Sequence, residues 1–129
     1  MKKLLKIVGF VFLALFAVMA IAVYAIAQGT VEGTKVVVGD IDLTEVADGT
    51  YTGEYAFKRW TNTLNVTVSD HKITKIEIEK NVQFYNQKLS DQVFADVIER
   101  QSLDIDIQSG ATVTSKAYLK AIEDAVGGN

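Results

Sequence analysis

Cysteine is absent from this 129-residue chain, and histidine and tryptophan occur once each. Without cysteine there can be no disulfide, no thiolate metal ligand, no lipid-modified cysteine and no thiol nucleophile. A domain outside the cytoplasm must then rest on its hydrophobic core alone, which about 100 residues can supply with little margin. The lone histidine, His71, has no serine and aspartate partners at a recognisable spacing, so a hydrolytic triad has no support and His71 reads as a solvated turn residue. Basic residues are also few and scattered. Of the 13 lysines and arginines, three (Lys2, Lys3 and Lys6) precede an apolar run, which leaves 10 against 16 acidic residues in the remainder. That remainder is formally −6 with no basic cluster, so no nucleic-acid partner is expected and docking on anionic lipid heads is disfavoured.

What the chain does have is one long uncharged stretch. Residues 7–27 are 21 positions without a charge. As a helix they span about 31 Å, enough for a hydrocarbon core of about 30 Å. The three lysines before them keep the N-terminus in the cytoplasm under the positive-inside bias and send the rest of the chain outward, with Tyr24 at interfacial depth. The competing reading is a cleaved signal peptide, since Ala25, Ile26 and Ala27 form an A-x-A-like site, although the run is longer than the usual signal core of about 7–15 residues. Either way the rest of the chain is exported. The expected organisation is an N-terminal membrane anchor or signal segment over residues 1–30, with the bilayer contacted through residues 7–27, and one domain over residues 31–129.

Residues 28–34 read as a short polar linker. Residues 35–38 and 41–43 are expected as short extended pieces broken at Gly39 and Asp40. Asp48 and Gly49 signal a turn before a strand over residues 51–57 carrying Tyr51, Tyr55 and Phe57. Leu64, Val66 and Val68 then alternate with Asn65, Thr67 and Ser69, Asp70, His71 and Lys72 turn the chain, and Ile76 and Ile78 alternate with Lys75, Glu77 and Glu79 on the way back. Such a hairpin belongs to a twisted antiparallel sheet with one buried face. The period then changes: Leu89, Val93, Phe94, Val97 and Ile98 predict a helix capped by Asn86 or by Ser90 and Asp91. Leu103, Ile105 and Ile107 alternate in a short strand or extended link, and Tyr118, Ala121, Ile122 and Ala125 predict a last helix ending at Gly127 and Gly128. The expected fold is α+β: a small twisted antiparallel sheet covered by two amphipathic helices, preceded by one N-terminal transmembrane or signal helix.

The segment before the last helix carries the chemistry. Ser109, Gly110 and Ala111 have no bulky side chains, so a phosphate can approach their amides closely. The first-turn amides around Val113, Thr114 and Ser115 point to the same place, and the helix dipole favours negative charge there. Gly110 can supply a positive φ. Thr112 stands at the mouth with a hydroxyl able to donate to a phosphate oxygen or to be esterified by one. The plainer reading is that small hydroxyl residues before a helix are N-caps. Asp104 and Asp106 can also hold a cation, yet no third oxygen ligand stands at a suitable spacing, so no metal site is expected.

Asp106, Ser109, Gly110, Ala111 and Thr112, followed by Thr114 and Ser115, resemble the flavinylation motif of the FMN-binding domain family. Its members are similar to the covalently flavinylated subunits of Rnf-type complexes and of sodium-pumping NADH:quinone reductases. Asp48, Gly49, Thr50, Tyr51, Thr52 and Gly53 look like the opening strand of its small stand-alone members, and the likeness runs from about residue 48 to 126. It implies FMN joined through its phosphate to the Thr112 hydroxyl by an exported flavin transferase that uses FAD as donor. Asp106 then aids recognition by the transferase or fixes the turn, and Ser109, Gly110 and Ala111 shape the phosphate loop. One departure stands out: many small members have a Gly/Pro-rich segment where this chain has Phe57, Lys58, Arg59 and Trp60. Trp60, Phe84 and Tyr85 are candidates to stack on the isoalloxazine ring or are core and rim aromatics. Lys58 or Arg59 near the ring favours its anionic reduced form.

Two functions fit these features. The first is a membrane-anchored flavoprotein carrying FMN and relaying electrons from a membrane redox donor to an extracytoplasmic acceptor, an electron carrier more than a stand-alone catalyst. The second is a non-redox phosphate-binding or structural module in which the Ser109–Thr112 loop only caps a helix.

Overall fold

The computed structural model describes residues 1–28, 33–107 and 111–127. The chain divides into two units, Met1–Thr30 and Val31–Asn129. The first is a single helix, α1 (Lys2–Ala27), with none of its side chains buried. It is long and apolar enough to cross a membrane, a test that a signal sequence near an N-terminus also passes.

The second unit is built on three strands, β1 (Gly49–Tyr55), β2 (Asn62–Ser69) and β3 (Lys72–Lys80), in the order β1-β2-β3 with both pairings antiparallel. Alternation in β2 buries Leu64, Val66 and Val68, while Thr63, Asn65 and Thr67 turn to the outer face. The β2–β3 loop consists of Asp70 and His71, both left-handed at φ of 53° and 60°. Two consecutive positive φ values make the mirror-image turn whose twist matches that of a hairpin, and Asp and His tolerate that region better than most residues. On the return strand Ile73 and Ile76 are three positions apart, so a regular strand would place them on opposite faces. A register shift resolves this: Val68 pairs with Ile73 while Thr67 pairs with Lys75, leaving Thr74 as the extra residue. Both isoleucines thereby face the core.

Two helices cover the apolar face, as the expected α+β fold requires. The first, α2 (Gln87–Arg100), lies beside β3; its N-cap is Asn86, whose side chain accepts from the amides of Lys88 and Leu89 at 3.0 and 3.4 Å. The second, α3 (Thr112–Val126), packs across β1 and β2 and is buried over more than half its length. Ala117, Ala121 and Ala125 recur every four residues and form a strip that lets β1 approach the helix backbone closely. The approach is tightest at Gly53, where an added Cβ would collide with the Ala121 carbonyl and lie 2.6 Å from the Ala125 nitrogen. Phe94 packs edge-on against Tyr118 with centroids 5.4 Å apart, joining the two helices.

Residues 35–38, 41–43 and 103–107 do not join the sheet. Their apolar residues are used differently: Leu43, Leu103 and Ile105 are buried in the core from irregular segments. Asp40 fastens two of these segments together by accepting from the Ser102 hydroxyl at 3.1 Å and the Leu103 amide at 3.2 Å. These hydrogen bonds and that from the Ile41 amide, the strongest of them, hold its carboxyl below the ordinary aspartate range. The acids near the end of α3 stand where the helix dipole disfavours them, and they accept hydrogen bonds from distant parts of the chain. Glu123 accepts from the Gly39 amide at 3.2 Å, and Asp124 from the Glu54 amide at 2.9 Å.

Candidate functional site

Thr112 is the first residue of α3, and its side chain is half-buried. The N-cap position before it is Ala111, with no side-chain cap and no acidic residue in the first turn. An alanine cap leaves the leading amides of the helix without the oxygen that serine, threonine, asparagine or aspartate would provide. The first intrahelical bond runs from the Ser115 amide to the Ala111 carbonyl at 2.9 Å. Among the described residues the amides of residues 112–114 meet no acceptor, whereas that of Ser115 is taken by the Ala111 carbonyl. The Ser115 side chain is 1% exposed and its hydroxyl finds no partner among the described residues. Ser109 and Gly110 lie outside the described residues.

Asp106 stands in solvent, its side chain 95% exposed, 3.3 Å from the Arg100 guanidinium. Thr114 is half-buried. The Val113 side chain packs against Gly33, where an added Cβ would collide with one of its methyl groups. One residue along, the Thr34 carbonyl accepts from the Lys116 ammonium at 2.7 Å. The segment leading into the domain is thus held against the first two turns of α3. Nothing in the sequence signals this pairing, because the partners are about 80 residues apart.

The aromatic candidates separate. Trp60 is 1% exposed, stacked on Phe57 at 6.1 Å with the Arg59 guanidinium 4.0 Å from its ring centroid. It is a core residue and offers no face to a cofactor. Residues 58–60 form a single 3-10 turn in place of the family's Gly/Pro-rich segment. Phe84 and Tyr85 are exposed, Phe84 in a left-handed conformation at φ of 56°. The Gln83 amide bonds to the Arg59 carbonyl at 2.9 Å, which ties their loop to the 3-10 turn. Lys58 lies over Phe57, 5.8 Å from the ring centroid. His71 directs Nδ1 to the Leu43 carbonyl at 3.1 Å in its turn.

Several hollows flank α2 and α3 among the described residues, including one of about 240 Å³ beside Glu54, Tyr55 and the end of α3. One of about 500 Å³, open to solvent, lies between residues 35–40, the stretch from Leu103 to Ile107 and the Lys116 and Leu119 side of α3. A second, of about 290 Å³, adjoins Ala111 at the start of α2 and is lined by Asn86, Lys88, Leu89 and Gln92. A third, of about 510 Å³, runs between β3 and α2.

The FMN-binding domain family matches residues 60–127, from the 3-10 turn through α3. The chain belongs to the FMN-binding domain family. Its cofactor is FMN, and no solved structure matches the chain. The matched span begins after β1, so the opening strand from residue 48, similar to the small members by its wording, lies before it.

FMN consists of a phosphate, a polar ribityl chain and a flat tricyclic ring, and the site has features for the two ends. The uncapped first turn of α3 suits a phosphate. A 500 Å³ hollow one to two turns further along α3, at Lys116 and Leu119, lies within the roughly 300–1,000 Å³ typical of ligand pockets. Residues of the FMN-binding domain itself, Lys116 and Leu119, form one side of that hollow.

Proposed function

We propose that this protein carries FMN as a phosphodiester on Thr112 and serves as a membrane-anchored electron carrier outside the cytoplasm. The observation that supports the linkage most directly is the helix start. Thr112 occupies the first position of α3 behind an alanine that caps nothing, so hydroxyl and open amides stand together. The alanine at the cap position supports this reading over the rival one in which the small residues merely cap the helix.

In the attachment step the Thr112 Oγ bonds to the FMN phosphorus of FAD, the anhydride bond breaks, AMP departs, and the hydroxyl proton passes to a base. That base belongs to the FAD-dependent flavin transferase. A threonine hydroxyl is a weak nucleophile unaided, and the only histidine of this chain is engaged with Leu43 in the β2–β3 turn. The chain contributes the positioned hydroxyl and the amides of residues 112–114, which meet the phosphate oxygens. Asp106, fully in solvent, is placed to be read by the transferase.

Bound FMN supplies one- and two-electron redox chemistry, and the protein fixes its position and surroundings. Electrons arrive from a membrane redox donor and leave to an extracytoplasmic acceptor, with α1 as the anchor and its lysines on the cytoplasmic side. A covalent bond suits that location. Cofactor lost outside the cytoplasm is diluted away, and no local pool restores occupancy by mass action. The test is co-production with a flavin transferase followed by denaturing electrophoresis. The band is expected to fluoresce as flavin, and Thr112→Val to abolish the signal. A band that stays dark in the parent protein contradicts the proposal.

A further inference from the structure

We propose that the hollow between residues 35–40, residues 103–107 and α3 seats the isoalloxazine ring, so that the linker segment before the matched family span forms one wall of the flavin site. This rests on attachment at Thr112.

Position is the first argument. The wall formed by residues 103–107 runs directly into the attachment motif, which begins at Asp106. The opposite side is formed by Lys116 and Leu119. These lie four and seven residues beyond Thr112, about 6 and 10 Å along the helix axis. Lys116 is one turn from Thr112 and shares its face. A flavin tethered by its phosphate at Thr112 therefore extends along this face with its ring beside the hollow.

Chemistry is the second. Val36, Val38, Ile105 and Ile107 give an apolar lining suited to the fused rings. Lys35 and Lys116 stand at the hollow and offset Asp40 and Asp104, and the two ammonium groups favour the phosphodiester anion and the negative charge a flavin gains on reduction. Asp104 supplies an acceptor suited to the ring's imide N–H.

Two other hollows fit less well. That beside Ala111 is smaller, and Leu89 is the one large apolar side chain among its lining residues with Asn86, Lys88 and Gln92. The groove between β3 and α2 is large enough, but Glu77, Glu79 and Asp91 line it and would repel a reduced, phosphate-bearing cofactor.

The third argument is that the wall is fastened. Gly33 packs so tightly on Val113 that any side chain there would collide, and Lys116 holds the Thr34 carbonyl at 2.7 Å. Val113 and Val38 also pack against the core, so the wall is tied to the rest of the domain. These contacts keep residues 35–38 beside the helix that bears the attachment threonine.

The experiment uses the full chain in detergent after flavinylation, with collisional quenching of flavin fluorescence by iodide as readout. Quenching is expected to be several-fold weaker than for the flavin peptide released by proteolysis. Val36→Phe combined with Val38→Phe, which narrows the hollow without changing charge, is expected to raise quenching to the peptide's level. Phe84→Ala combined with Tyr85→Ala is expected to leave it as in the parent. Lys35→Gln combined with Lys116→Gln is expected to shift the flavin reduction potential to more negative values, a readout that stands if the narrowing variant does not fold. Parent-like quenching in the narrowing variant, increased quenching in the Phe84/Tyr85 variant, or an unchanged potential in the lysine variant overturns the seat while leaving Thr112 attachment intact. A parent protein that acquires no flavin refutes the attachment itself, and the seat with it.

Discussion

Replacing Gly53 by alanine adds one methyl group at the closest approach between sheet and helix. The new Cβ would collide with the Ala121 carbonyl and lie 2.6 Å from the Ala125 nitrogen and 2.7 Å from the Ala125 Cβ. Two of these three obstacles are main-chain atoms of α3, so no rotamer change relieves the clash. The helix must move away from β1, against packing that fixes Tyr118, Leu119 and Ile122 in the core. Overpacking typically costs about 1–3 kcal/mol, and a clash with main chain belongs at the upper end. At roughly 4–8 °C per kcal/mol for a domain of this size, a cost of about 3 kcal/mol lowers Tm by about 12–24 °C. Trp60, the only tryptophan and fully buried, reports the transition by fluorescence in the detergent-solubilised chain without signal from α1. Gly39→Ala is the control, because its Cβ meets only the flexible end of Glu123 at 3.2 Å, and its Tm should stay close to the parent's. A Gly53→Ala protein melting within about 4 °C of the parent, a cost of about 1 kcal/mol or less, would refute the argument.

Asn86→Ala removes the oxygen that caps α2 and should cost about 1 kcal/mol, read as a lowered denaturation midpoint at unchanged slope. Burial pushes the Tyr118 hydroxyl up to about 12 from 10.0, and it donates to Asn81 Oδ1 at 2.7 Å. Since the folded-state value is the higher one, the stability linked to it is complete below pH 10 and is lost as pH rises toward 12. The loss is about 2–3 kcal/mol at 1.36 kcal/mol per unit. In Tyr118→Phe that part of the alkaline decline should disappear from the unfolding profile, and an identical decline in both proteins would contradict the assignment. Asp106→Asn breaks an exposed ion pair with Arg100 and should change stability by less than about 0.5 kcal/mol, while slowing flavin attachment by the transferase. A large Tm change with normal flavinylation would show that Asp106 fixes the turn instead.

The parts of the fold that arise from short-range periodicity were legible in the sequence. Alternation marked β2 and most of β3, helical spacing marked α2 and α3, and the Asn86 cap stood among the candidates because its side chain can satisfy two leading amides. What was not legible depended on contacts across the chain. Residues 41–43 and 103–107 alternate like strands, yet no neighbouring strand edge accepts them, and they bury Leu43, Leu103 and Ile105 from irregular backbone. The core position of Ile73 was not legible, because the extra residue at Thr74 cannot be read from spacing. Asn62, a polar residue at a strand start, is fully buried because its amide nitrogen donates to the Trp60 and Ala117 carbonyls. The acceptor roles of Glu123 and Asp124 toward the Gly39 and Glu54 amides likewise depend on segments about 70–84 residues away. At the site, the small residues before the last helix left a plain cap open, and it was the family resemblance of the motif from Asp106 to Thr112 that pointed to FMN, as the family match bears out. The burial of Trp60 and the fastening of Gly33 and Thr34 to α3 were not legible, since both arise from packing between distant segments.

Intact-mass measurement of the full chain, purified from cells that also make a flavin transferase, tests the central claim most directly. The account predicts an increase equal to one FMN less one water, absent from Thr112→Val and retained in Thr114→Val. An unmodified parent mass, or the same increase in Thr112→Val, would contradict it.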